Sequence, residues 1–412
     1  MGDDPVATWL VRHGRSARST EALWAELCAR LRRSGLALLR ANVQLRTLHP
    51  EVAVLLYLWH ASSDAPPVFP ANQGVVTDEA SLADDGAVRA IALGRTSSST
   101  PEYRQSPLYR SIAHGEVVDL TIDPDGEGGE YPVVPELRAQ GGTGYLCLPI
   151  RTSGDAVSGL SFLTEKTGGF TDADKRRIFA LVPLIELHLE RHAQAHILRS
   201  LLRTYLGVEP ARQVLEGRVR LGDVREVEAA IWFSDLRGYT VMSSALDAGA
   251  LVAALNDYFA ALARPLEARG GELLKFMGDA MLVLFPVGPE RDAAATCADA
   301  LAAAADACAA LERLNRRRAD AGQPPLGHGI GLHYGRAQYG NIGSAHRLDF
   351  TVIGQAVNAA SRIEGLCRGL DEPVLVSREL ADQLPQARFV SVGRHQLKGL
   401  PAPIEVLRPS LP

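Results

Sequence analysis

Apolar residues recur every three or four positions between Thr20 and Arg33, where Leu23, Leu27 and Leu31 share one face and Gly35 follows, so the spacing predicts a helix there. The residues before Thr20 carry no comparable pattern. The runs 36–48 and 52–60 are strand-like and meet at His49-Pro50, where a hydrogen-bonded ladder must break. From Ser62 to Thr100, Asp, Pro, Ser and Gly separate short apolar islands, which predicts loops with some embedded strand, and the acidic stretch 123–129 reads as a turn. Two further apolar runs, 144–150 and 158–163, flank Ser153-Gly154-Asp155 as a hairpin. Thr171 then caps a long helix beginning at Asp172, with Ile178, Leu181 and Ile185 at heptad spacing, before the register shifts to Leu198, Leu202 and Tyr205. A connecting coiled coil over 172–206 is expected, with the boundary to a second domain between Gly207 and Gly222.

Composition narrows the partners. The 412 residues suffice for two domains, and 43 Lys plus Arg against 48 Asp plus Glu leave a net charge of −5, with no basic surplus for a nucleic-acid backbone or an anionic membrane. No apolar run approaches the roughly 18 to 20 residues that cross a bilayer. The start, Met1-Gly2-Asp3-Asp4, has neither the basic residues nor the apolar stretch of an export signal. Cys28, Cys147, Cys297, Cys308 and Cys367 are widely spaced and form no CxxC pair, as expected of buried thiols in a reducing compartment. A cytoplasmic protein is the expectation.

The succession of helix, antiparallel strands, hairpin and long exit helix, with the phrase Gly168-Gly169-Phe170-Thr171-Asp172-Ala173-Asp174 before that helix, resembles a GAF-type sensor domain. The resemblance implies an α/β regulatory domain over residues 1–171, whose effector the sequence does not name.

Chemistry-bearing text begins at Ala229. An apolar strand ends in Asp235-Leu-Arg-Gly238-Tyr-Thr240, and a carboxylate at a strand end beside exposed backbone N–H groups suits a hard metal carrying phosphates. In a second block, Lys275-Phe-Met-Gly278-Asp279 lies between two short strands, so that Asp279 at the turn can join Asp235 in holding two divalent ions. In a third, Thr351-Val-Ile-Gly-Gln-Ala-Val-Asn358 passes from strand to helix, and Asn358 and Arg362, four apart, share a helix face.

These blocks, with the closing phrase Gln396-Leu-Lys398-Gly-Leu-Pro-Ala-Pro-Ile-Glu-Val-Leu, resemble the catalytic domain of the class III nucleotide cyclases from about Val224 to Leu407. The resemblance implies an α+β chain: a GAF-like domain, a connecting helix and linker over 172–223, and a ferredoxin-like catalytic domain over 224–412 that dimerises head to tail. It further implies that Asp235, Leu236 and Asp279 hold two Mg²⁺ or Mn²⁺ ions, with Gly238, Tyr239, Thr240 and Lys398 on the phosphates. The other subunit would supply Lys275 and Thr351 to the base, and Asn358 and Arg362 to the ribose and the transition state. Lys275 offers donors to a ring nitrogen of adenine and Thr351 a hydroxyl acceptor to its amino group, which favours ATP over GTP. A Lys with Thr pair resembles many bacterial adenylate cyclases, whereas the mammalian pattern has Asp at the Thr351 position. An idle nucleotide-binding dimerisation module is the alternative, although idle relatives usually lack a metal carboxylate or the Arg.

Two other features invite chemistry. Arg12-His13-Gly14 resembles the opening of the histidine phosphatases, without a recognisable second catalytic histidine. His188, His192 and His196 fall at i, i+4 and i+8 on the long helix, a stripe suited to metal binding or pH sensing, or simply to packing.

Overall fold

The computed structural model describes residues 4–62, 74–76, 81–83, 86–95, 100–152, 157–344 and 346–410. It divides into two compact units, Met1–Leu201 and Leu202–Pro412. The turn expected at Ser153-Gly154-Asp155 lies outside the described residues.

The first unit comprises α1 (Pro5–His13), α2 (Thr20–Arg33), β1 (Leu38–Arg46), β2 (Val52–His60), β3 (Gly74–Val76), β4 (Ser81–Ala83), β5 (Gly86–Gly94), α3 (Pro101–Arg104), α4 (Pro107–His114), β6 (Val118–Thr121), α5 (Val134–Ala139), β7 (Gly144–Arg151), β8 (Val157–Thr164) and most of α6 (Asp172–Leu206). Helix α2 starts where its periodicity does, because the Ser19 hydroxyl accepts from the Ala22 N–H. Helix α1 was not expected. It holds only one buried turn, Val6, Trp9 and Leu10, too short to show a period, and is started by Pro5 and by the Asp4 carboxylate, which accepts from the N–H groups of Val6 and Ala7. The strands form one antiparallel sheet in the order β3-β5-β2-β1-β8-β7-β6, with β4 on β5. Strand β5 runs through text read mainly as loop, since its apolar residues pair with β2 along most of its length.

One face of this sheet carries the main core. Leu38, Ala41, Val43, Phe162 and Leu148 meet Trp24 and Leu27 of α2 and Ile178, Leu181, Ile185 and Leu189 of α6. That placement corrects the coiled-coil expectation for the first part of α6, because its heptad residues are consumed inside the unit. Two of the three histidines, His188 and His192, are likewise buried in packing. His188 Nε2 donates to the Leu10 carbonyl at 2.9 Å with its ring against Gly14, and His192 is pushed down to about 4 by burial and by Arg191. Among the described residues no group of three or more His, Cys, Asp or Glu side chains stands in position to hold one metal ion, around these histidines or elsewhere. Arg12 and His13 end α1, exposed on a helix rather than at a strand end, which removes the structural context of the phosphatase-like phrase.

The second unit comprises α7 (Val208–Leu215), β9 (Val224–Arg237), α8 (Tyr239–Ala245), α9 (Ala248–Ala268), β10 (Glu272–Met277), β11 (Ala280–Pro286), α10 (Ala293–Asp320), β12 (Gly327–Ser344), β13 (Arg347–Ile353), α11 (Gln355–Leu370), β14 (Val374–Ser377), α12 (Arg378–Ala381), β15 (Phe389–His395) and β16 (Ile404–Pro409). Its sheet runs β10-β11-β9-β12-β14-β16-β15, with β13 on β12. Within it β9, β10, β11 and β12 take the order of a split β-α-β-β-α-β motif, the ferredoxin-like arrangement. Helices α9 and α10 cover one face through Tyr258, Leu262, Leu266, Ala303, Ala304, Ala307 and Leu311. By length and composition α10 is apolar enough to cross a membrane, yet its stripe of Ala and Leu is part of this core.

Helix α11 lies against the other face. It approaches closely because its contact residues are small, Ala356, Ala359 and Ala360, and because β12 presents glycine. A Cβ on Gly331 would stand 2.4 Å from both the Ala360 carbonyl oxygen and the Glu364 nitrogen.

Candidate active site

Asp235 lies near the end of β9, with Ala280 of β11 as its partner on one side and Gly329 of β12 on the other. Strands β10 and β11 form a hairpin whose two loop residues, Gly278 and Asp279, lie between the paired Met277 and Ala280. Gly278 has φ 69°, the left-handed conformation that such turns require. Since Ala280 also pairs with Asp235, the turn delivers Asp279 beside it, and the two carboxyl groups come within hydrogen-bonding reach. Burial and the neighbouring Asp279 push Asp235 up to about 6. The Leu236 N–H donates to Asp235 Oδ1 at 3.0 Å, while the Leu236 side chain is buried in the core, so Leu236 can offer an ion only its backbone carbonyl.

A third carboxyl that sequence reasoning passed over faces this pair. Glu364 of α11 is raised to about 7 by burial and by Asp235 and Asp279, and its Oε1 occupies the space that a Cβ on Gly329 would need, 2.5 Å away. Arg237 only partly offsets the negative charge, because its Nη2 is engaged by the carbonyls of Cys367 at 2.9 Å and Glu372 at 2.7 Å. The crowded pair Asp235 and Asp279 fits a divalent ion. Asp235 and Asp279 supply two ligands, and backbone, water and substrate phosphates would supply the rest, as is usual for Mg²⁺.

Lys275 follows a register irregularity in β10 and forms an ion pair with Asp349 of β13. Thr351 is two residues further along β13, on the same face as Asp349 and paired with Gly340. Phe350 turns the other way and packs edge-on against Tyr339, with ring centroids 4.9 Å apart. Lys275 and Asp349 line a cleft of about 750 Å³ together with Tyr205, Glu272, Phe276 and Phe350, a volume in the range of small-ligand sites. Asp349 was not anticipated, for an acid near a strand end ordinarily reads as solvated.

The remaining candidates lie on α11, at the start of α8 and between β15 and β16. Asn358 and Arg362 are exposed on the face of α11 opposite its alanines, and neither side chain has a hydrogen bond or ion pair among the described residues. Gly238, with φ 77°, leads into Tyr239 and Thr240 in the first turn of α8. Lys398 is exposed in the turn closed by the Leu400 N–H on the Leu397 carbonyl.

Residues 224–407 match the family model described as the adenylate and guanylate cyclase catalytic domain. An adenylate cyclase of Anabaena cylindrica is 36% identical over 170 residues, 40% of this chain and 32% of that one. Adenylate cyclase 1 of Rhizobium meliloti is 29% identical over 182 residues, 43% of this chain and 27% of the other. The chain therefore spans about a third or less of the length of these relatives. A solved structure of a bacterial light-regulated adenylyl cyclase is 31% identical and covers 45% of this chain and 91% of its own, with a TM-score of 0.40.

Proposed function

We propose, from the premise that residues 224–407 belong to the adenylate and guanylate cyclase catalytic domain family, that this chain converts ATP to 3′,5′-cyclic AMP and pyrophosphate. The observation that carries the reading is the carboxyl pair Asp235 and Asp279, pressed together at the end of β9 with Asp235 pushed up to about 6. Asp235 and Asp279 would hold divalent ions, which when bound would acidify the ribose 3′-hydroxyl and offset the charge of the triphosphate for an in-line displacement at the α-phosphorus.

The protein's own groups divide the remaining work. Lys275 donates to a ring nitrogen of adenine and keeps its place by giving a second N–H to Asp349, while the Thr351 hydroxyl accepts from the exocyclic amine. Gly238, Tyr239 and Thr240 present the first turn of α8 to the phosphates, and Lys398 adds a cation. Asn358 orients the ribose. Arg362 forks onto the phosphoryl oxygens as charge develops, a contact worth about 3 kcal/mol of barrier. Both α11 side chains are exposed and without a hydrogen bond or ion pair among the described residues, as donors destined for a second subunit's site would be. Exposed Phe276, Met277, Leu348 and Ile353, adjoining Lys275, Asp349 and Thr351 in sequence, supply apolar surface for a homodimer. The first unit then regulates the pair of sites.

The test is the formation of cyclic AMP from ATP by the full chain with Mn²⁺ or Mg²⁺. Wild type is expected to turn over and Asp235→Ala to lose at least about 100-fold in kcat. A wild type that binds ATP without making product would leave the idle module as the reading. Equal rates with GTP would overturn the base assignment.

A further inference from the structure

Glu364 is the only acidic residue of α11, and it stands on the side of the helix that meets the sheet, one turn beyond Ala360. Its neighbours on that side, Ala359, Ala360, Ile363 and Cys367, are small or apolar. Room for it comes from the strand below. A Cβ on Gly329 of β12 would fall 2.5 Å from Glu364 Oε1, so the carboxyl group fills the space where that residue has no side chain. Gly329 has no left-handed backbone conformation, and glycine is needed there for space alone.

That seat lies directly across from Asp235. Gly329 and Asp235 are paired between antiparallel β12 and β9, and paired residues project from one face of a sheet about 5 Å apart. Arg237, two residues beyond Asp235 on β9, holds the helix in register with the strand. Its Nη2 donates to the carbonyls of Cys367 and Glu372 and its Nη1 lies 3.6 Å from Asp371, which ties the end of α11 to the strand that carries Asp235. Glu364 nevertheless does not complete a ligand set with the aspartates, because no group of three acids, histidines or cysteines among the described residues is placed to hold one ion. Packing calls for no charge at this point, since bringing a carboxylate under a helix beside two others costs stability that glutamine or leucine would not.

We propose that Glu364 is a positioning residue for the divalent ion of its own subunit: it stands outside the ligand set and accepts a hydrogen bond from a water carried by the ion. The inference rests on the reading of Asp235 and Asp279 as metal ligands. A carboxylate in this position orients the ion's water and adds negative charge behind the two aspartates, and loss of such an outer partner typically weakens metal binding about 10- to 100-fold.

The experiment titrates Mn²⁺ into the nucleotide-free full chain, with the free ion followed by electron paramagnetic resonance, and then measures cyclic AMP formation against Mn²⁺ at saturating ATP. Two variants disturb Glu364 in different ways. Glu364→Gln keeps its shape and removes its charge, whereas Gly329→Ala keeps the charge and displaces the carboxylate with a new Cβ. Each is expected to bind Mn²⁺ at least about tenfold more weakly than wild type. Each should also reach within about threefold of the wild-type kcat once Mn²⁺ saturates, with KM for ATP unchanged, whereas a merely structural role would lower kcat at every metal concentration. Unchanged Mn²⁺ affinity in both variants, with binding lost in Asp235→Asn, would overturn this proposal alone, as would a kcat deficit that Mn²⁺ does not relieve. Wild-type affinity in Asp235→Asn would overturn the metal-site reading itself.

Discussion

At the residue scale, the carboxyl cluster around Asp235 sets how the protein responds to protons. Asp235 at about 6 and Glu364 at about 7 both lie above the ordinary carboxylate range near 4. Between roughly pH 4 and 7 the native state retains protons that the unfolded chain releases, so the stability of the metal-free protein falls as pH rises through that window. Thermal unfolding in EDTA is expected to show a lower midpoint at pH 7.5 than at pH 5 for the second unit. Asp235→Asn or Glu364→Gln should flatten the slope, and Mn²⁺ should restore stability at the higher pH. A wild-type slope of the opposite sign would mean that the carboxyls do not crowd one another in solution. Sequence reasoning reached Asp235 and Asp279 because a strand end and a Gly-Asp turn are local signals. It did not reach Glu364 or Asp349. Their importance comes from what β12 and β10 place opposite them, and no spacing along one strand or helix encodes that.

At the element scale, the site depends on how closely α11 can lie on β12. Gly331 has an ordinary backbone conformation, so its need for glycine is steric: a Cβ would meet α11 backbone atoms at 2.4 Å, and backbone cannot rotate aside as a side chain does. Gly331→Ala is expected to lift α11 and with it Asn358, Arg362 and Glu364, at a cost of about 1–3 kcal/mol in urea unfolding. Activity should fall further than the loss of folded protein accounts for. Gly365→Ala, on the same helix with open space around its Cβ position, is the control and should retain both. Legibility at this scale followed element length. Helix α2 and the strands β1, β2, β7 and β8 stand close to where their patterns place them, because each repeats its pattern over several turns or pairs. Helix α1 did not, since three buried residues make no period, and α6 showed a heptad without showing whether its apolar face meets a second helix or its own sheet.

At the scale of the whole molecule, the proposed chemistry requires two chains. Within one chain Asp235 and Asp279 meet, whereas Asn358 and Arg362 remain exposed with no hydrogen bond or ion pair among the described residues. In a head-to-tail dimer each site takes its carboxylates from one subunit and its arginine from the other, so a defect in either class silences both sites of a homodimer. Asp235→Asn and Arg362→Ala should each be inactive alone. Mixed and allowed to exchange, they form heterodimers in which one site carries both defects and the other carries neither. With random pairing about half the dimers are mixed, and each has one working site of two, so activity should recover to about a quarter of wild type. Sites complete within a single chain predict no recovery at any mixing ratio. Mixing Asp235→Asn with Asp279→Asn gives the internal control: both changes lie in the same half of the site, every heterodimer site then lacks one carboxylate, and activity should stay at the level of the single variants.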